Sequence, residues 1–194
     1  RRRTASTGVA RGPGRHVPYH GAVVRPDGGD GWVALGEAAL DVGAAADWAV
    51  RPGCGAVVTF AGTVRDHAPG RVDVEQLVYE AYESEAVSRM VAAADELRRR
   101  WPAVGRVALH HRIGPLAVTE VAVVVAVSAP HRREAFAAAS WAIDAVKASV
   151  PIWKRETWAD GESWGSEAQH LVEPREVGAP DEAVQPDIPR CQLG

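Results

Sequence analysis

The spacing of apolar residues changes several times along the chain, and each change marks an element. Ala56–Arg65 (AVVTFAGTVR) is apolar and β-branched, which predicts a buried strand. Val74–Tyr82 alternates between two faces, one of them wetter, and predicts a second strand. The period then lengthens. Ala86, Met90, Ala94, Leu97 and Trp101 fall three and four apart, so a helix is expected from a cap at Ser84 to Trp101, stopped by Pro102. Strands follow over 104–113 and 120–128, joined by Gly114-Pro115. After Pro130, a second long helix carries Phe136, Ala139, Ile143, Val146 and Val150 as a core-facing stripe and ends at Pro151. Ile152–Trp158 reads as a last strand before a turn at Asp160-Gly161. Upstream, Asp41 caps a short helix running to about Val50. The order β-β-α-β-β-α-β with short links predicts an α+β domain, two long helices on a mostly antiparallel sheet.

Both ends lack periodicity. Residues 1–31 hold seven Gly, three Pro, six Arg and two acids, and are expected to be a disordered basic arm. Residues 166–194 hold six acids, four Pro and two Arg, and are expected to be an acidic tail. The domain is thus expected over 32–165, consistent with a 194-residue chain at roughly 100–200 residues per domain. The longest apolar run, Val121–Val127, is far short of a membrane span. A net charge of −3 does not suggest a polyanion-binding chain. Neither nucleic acid nor membrane is therefore expected as a partner, although the arm leaves a nucleic-acid adaptor as a competing possibility. Cys54 and Cys191 form no CxxC pair, which argues against a disulfide scaffold and a zinc ribbon. No secretory signal opens the chain, so a cytoplasmic location is expected.

Charge usage is more specific. Of 22 basic residues only Lys147 and Lys154 are lysines, seven positions apart. Arginine cannot release its proton near neutral pH, whereas a lysine crowded by other cations or buried can. Two lysines in an arginine-rich chain therefore suggest a titratable amine used as acid, base or transient nucleophile. Arg65 leaves the end of a buried strand and can present a rigid fork to phosphate or carboxylate, or simply be a surface arginine. His131-Arg132 opens the second long helix, where cations oppose the helix dipole unless an anion binds. That turn is either an anion site or a solvated basic turn. Arg155 follows Lys154 and is a further candidate for a cationic pocket. His110 and His111 are neighbours on a strand and point to opposite faces, so they cannot chelate one metal together. No metal site is expected, no GxGxxG follows a strand, and no P-loop or GxSxG occurs.

Five segments in order resemble the catalytic (large) subunit of molybdopterin synthase. They are Phe60-x-Gly62-x-Val64-Arg65, Leu77-x-Tyr79-Glu80-Ala81-Tyr82, His111-Arg112-Ile113-Gly114, His131-Arg132-x3-Phe136, and Ile143-Asp144-x2-Lys147-x2-Val150-Pro151-Ile152-Trp153-Lys154-Arg155-Glu156. The resemblance covers about Ala56 to Trp164. Thr119-Glu120 departs from it, standing where that family often has Gly-Glu. The resemblance implies an α/β hammerhead-type fold and a homodimer within a heterotetramer, with a small ubiquitin-like carrier at each end. It implies transfer of sulfur from the carrier's C-terminal thiocarboxylate to cyclic pyranopterin monophosphate, forming the dithiolene of molybdopterin. By similarity Lys147 and Lys154 are the central active-site lysines, and Arg65, His131 and Arg132 match anion-binding and catalytic positions. The second protomer can complete the site, and no cofactor is implied. Both substrates are anions, so a cationic pocket agrees with the residue-level reading. The competing reading is a non-catalytic module binding a pterin or nucleotide phosphate.

Overall fold

The computed structural model describes residues 24–67, 73–158, 161–164 and 171–178. Two four-stranded sheets and three helices make up the domain. One sheet contains β1 (Gly31–Gly36), β2 (Ala56–Thr63), β4 (Val107–Arg112) and β6 (Val121–Ala129) in the order β1-β4-β6-β2. The other contains β3 (Val74–Ala81), β5 (Gly114–Ala117), β7 (Ile152–Trp158) and β8 (Gly161–Trp164) in the order β5-β3-β7-β8. All pairings are antiparallel except β1 with β4. The α+β expectation therefore holds.

The helices are α1 (Val42–Ala49), α2 (Glu83–Arg100) and α3 (Arg132–Ser149). Asp41 caps α1 as expected, its carboxylate accepting from Ala44 N–H at 2.8 Å. The main core lies between α2, α3 and one face of the first sheet. A smaller apolar group, including Trp32, Trp48 and Ala108, packs α1 on the opposite face.

Several expectations need correction. β1 was not anticipated, because GWVALG is short, glycine-flanked and adjoins a glycine-rich arm. The sequence predicts only a connection at Gly114-Pro115, where the structure has β5. Its Pro115 is compatible with a strand because β5 is an edge strand. The Asp160-Gly161 turn leads into β8, also unanticipated. Tyr82, not Ser84, is the N-cap of α2, with no side-chain cap bond. Phe136 is 63% exposed, whereas Trp141 is fully buried. The buried side of α3 is centred on Ala135, Ala138, Ala142 and Ala145, which permit close approach of the sheet and α2. Arm residues 1–23 lie outside the described residues. In the expected tail, 171–178 are folded against α2 and α3: Trp141 Nε1 donates to Val177 O at 3.3 Å, and Arg100 Nη2 donates to Arg175 O at 2.9 Å. No pattern in the sequence marks this segment, because it has no periodicity and docks through backbone groups and an ion pair of Glu173 with Arg89.

Thr119, at the turn between β5 and β6, has φ +77°. L-residues other than glycine are strained there, β-branched ones especially. This accounts for the glycine expected there from the family resemblance. Thr119→Gly should raise stability by about 1 kcal/mol, read as a higher urea midpoint at unchanged slope. A lowered midpoint would mean that the threonine side chain contributes more than the strain costs.

Candidate active site

A cleft of about 350 Å³ opens where the two sheets meet the end of α3. α3 contributes Ile143, Val146 and Lys147, and Val150 follows at its C-cap. Ile152 and Lys154 come from β7, Tyr79 from β3, and His111 and Val123 from β4 and β6. The apolar stripe of α3 thus forms one wall and ends in a lysine. Pro151 stops the helix and lets the chain return as β7, which brings Lys154 to the same space. Both lysines of the chain line this cleft.

Strand geometry sets the opposite wall. Lys154 is directly across from Tyr79, and Glu156 across from Leu77. Residues two apart on a strand share a face, so Lys154 and Glu156 are neighbours. Lys154 Nζ donates to Glu156 Oε1 at 2.9 Å, and Glu156 is only 4% exposed. Burial, with the nearby Glu156 charge, raises the Tyr79 pKa, which keeps the phenol protonated as a donor. The Tyr79 ring meets His111 edge-on at 5.2 Å between centroids.

His111 has a defined tautomer. Its Nδ1 lies 2.6 Å from Arg112 O, which can only accept, so Nδ1 carries the hydrogen. Nε2 then bears a lone pair. Burial pushes the His111 pKa down to about 4, partly opposed by this backbone bond, so the ring is neutral near pH 7. His110 faces the other way as expected, onto Trp32 at 4.5 Å, and burial brings its pKa to about 4 as well.

These two histidines predict a pH effect on stability. An unfolded histidine binds its proton near 6.5, whereas each of these binds only near 4 when folded. Between those values the unfolded chain holds more protons, so stability rises with pH. The contribution is complete above about pH 6.5 and is lost as pH falls towards 4. From pH 7 to pH 5 each histidine should remove about 2 kcal/mol, measured by urea unfolding at the two pH values. His110→Phe should remove about half of the difference. A stability unchanged between pH 7 and pH 5 would contradict the neutral, buried state.

The other expected site residues lie elsewhere on the chain. Arg65 is exposed two positions beyond β2, after the fully buried Val64, and does not line the cleft. Arg155 alternates with Lys154 and Glu156 along β7, so its side chain leaves on the opposite face. His131 and Arg132 are exposed at the start of α3, whereas Lys147 is in its last turn. At 1.5 Å per residue, Arg132 and Lys147 are about 22 Å apart along the axis. Within one chain, the lysines and this basic helix start do not share a cleft. The sequence does not single out Tyr79 as a site residue, and places His111 and Glu156 only within family motifs. The available signal was strand parity, which aligns Tyr79, Lys154 and Glu156 once β3 and β7 are paired.

The family model described as MoaE protein matches residues 35–149, more than half of the chain. The chain belongs to the MoaE family. Its relatives include the molybdopterin synthase catalytic subunit of Taeniopygia guttata, 42% identical over 140 residues, covering 72% of this chain and 90% of that protein. Molybdopterin synthase catalytic subunit 1 of Aedes aegypti is 46% identical over 123 residues, covering 63% and 79% respectively. Among solved structures, molybdopterin synthase from Staphylococcus aureus is 38% identical with a TM-score of 0.65, covering 69% of this chain and 96% of that one. A complex of subunits 1 and 2 of molybdopterin-converting factor from Helicobacter pylori is 19% identical with a TM-score of 0.59, a likeness of fold. The MoaE match begins at Leu35, inside β1, and ends with α3, so it includes Lys147 and stops just before Lys154.

Proposed function

We propose that this MoaE-family chain is the catalytic subunit of molybdopterin synthase and works as a sulfurtransferase in the cleft between α3 and β7. The observation that carries this reading is the convergence of the chain's two lysines on one cleft walled by Tyr79, His111 and Glu156. The identities to catalytic subunits of that name support the same reading. The substrate would be cyclic pyranopterin monophosphate, and the sulfur donor the C-terminal thiocarboxylate of a small ubiquitin-like carrier.

The chemistry needs three things from the protein. Two anions must be held together, which cationic side chains achieve. A dithiolene holds two sulfurs, so two thiocarboxylated carriers act in turn: each sulfur forms a bond to a substrate carbon while an oxygen leaves, and that oxygen needs a proton. Water then releases the carrier as an ordinary carboxylate. Lys147 is the proposed proton donor, at the edge of the apolar wall. Lys154 is held by Glu156 and is the proposed anchor for an anionic group. The protonated Tyr79 and the neutral His111 supply a fixed donor and a fixed acceptor for the pterin.

Arg65, His131 and Arg132 remain proposed anion-binding residues. Because α3 separates His131 and Arg132 from Lys147 by about 22 Å, we assign them to the cleft of a second copy in a homodimer. Strand alternation sets Arg155 on the other face of β7, so it is not proposed as a residue of this cleft. Among the described residues, no helix is long and apolar enough to cross a membrane.

The test is incubation with the cyclic pterin and the thiocarboxylated carrier. Dithiolene product supports the reading. Tight pterin binding without product, in the presence of active carrier, would favour a non-catalytic binding module.

A further inference from the structure

The last turn of α3 must satisfy its carbonyl groups without a continuing helix. Pro151 has no N–H, so the Lys147 carbonyl loses its usual partner four residues on. Ile152 N–H, which would serve Ala148, donates instead to Val150 O at 2.8 Å. Two distant groups serve the next two carbonyls, those of Ala148 and Ser149. Val172 N–H donates to Ala148 O at 3.1 Å. Arg89, from the middle of α2, directs Nη1 to Ser149 O at 3.4 Å and to Val172 O at 3.2 Å. The same guanidinium pairs through Nη2 with Glu173 at 3.2 Å and through Nε with Glu85 at 2.8 Å. One largely covered side chain, 22% exposed, thus ties together α2, the end of α3 and the segment after residue 170.

We propose that Arg89, clamped by Glu85 and Glu173, is a positioning residue for Lys147. The turn it fixes carries Val146, Lys147 and Val150, all of which line the cleft. A positive group at a helix C-terminus also complements the dipole. The planar fork is essential, because a lysine ammonium cannot reach four acceptors in these directions. The proposal rests on the catalytic reading of Lys147, but its geometry can be read independently of turnover.

The experiment uses the full chain with its thiocarboxylated carrier. The wild-type chain has two lysines, so reductive ¹³C-methylation gives two lysine signals besides the α-amine; Arg89→Lys adds a third, and Lys147→Arg made in each background assigns the Lys147 signal. Arg89→Lys should lower kcat about tenfold or more at nearly unchanged KM, as expected for a small misplacement of a reacting group. In unreacted protein it should shift or broaden the Lys147 signal and leave Lys154 in place. Arg98→Ala removes a comparable tie near the other end of α2, where Arg98 donates to Asp30 O, and should leave both lysine signals and kcat unchanged. An Arg89→Lys variant with an unchanged Lys147 signal, or with both lysine signals moved alike, would overturn the clamp. A wild-type protein that forms no product would refute the catalytic reading, while the lysine signals would still decide the clamp.

Discussion

Lys147→Ala should lower product formation by about 10²–10⁴-fold while the carrier still binds, the range typical of a lost proton-transfer group. The side chain is at the end of the apolar wall formed by Ile143 and Val146, and it faces the cleft. Lys147→Arg is the sharper variant. It keeps a positive charge but cannot give up a proton near neutral pH, so it should fail nearly as badly. Steady-state turnover and carrier affinity, measured separately, check the prediction. If the arginine variant turns over like wild type, Lys147 is an electrostatic anchor and the proton must come from another group.

A second large effect should appear when two inactive variants are mixed. The basic start of α3 and the lysine at its end are too far apart to serve one cleft of one chain. If each cleft combines Lys147 of one copy with Arg132 of another, Lys147→Ala and Arg132→Ala damage different sides of it. In a mixed dimer one cleft carries both lesions and the other carries none. Random reassortment should then restore about a quarter of wild-type activity from two nearly inactive samples. Mixing without any gain, when exchange of subunits is demonstrated, would overturn the assignment of Arg132 to the cleft of a second copy.

The elements carrying long periods were legible in the sequence. The two long helices, the Asp41 cap and the strands leading into and out of them follow from spacing and from proline stops. The lysine pair was legible because arginine is otherwise used throughout, and the opposite facing of His110 and His111 follows from strand parity. Phe136 was misread because apolar identity was taken for burial, while the small alanines beside it make the actual contact. Arg155 was grouped with Lys154 by adjacency, although adjacency on a strand separates them. Tyr79 and Glu156 depend on the β3–β7 register, and Arg89 on a segment more than eighty residues away. Such pairings are set by tertiary packing, and no local pattern encodes them.

The central claim is that sulfur passes from the carrier directly to the pterin within this cleft. The most direct measurement is a quenched single turnover with isotopically labelled thiocarboxylate, following the label in carrier, protein and pterin by mass spectrometry. The account predicts label in the dithiolene, a carrier returned as its carboxylate, and no label on the chain, whose only thiols are Cys54 and Cys191. Label retained on either cysteine, or a pterin that gains no sulfur while the carrier is consumed, would contradict it.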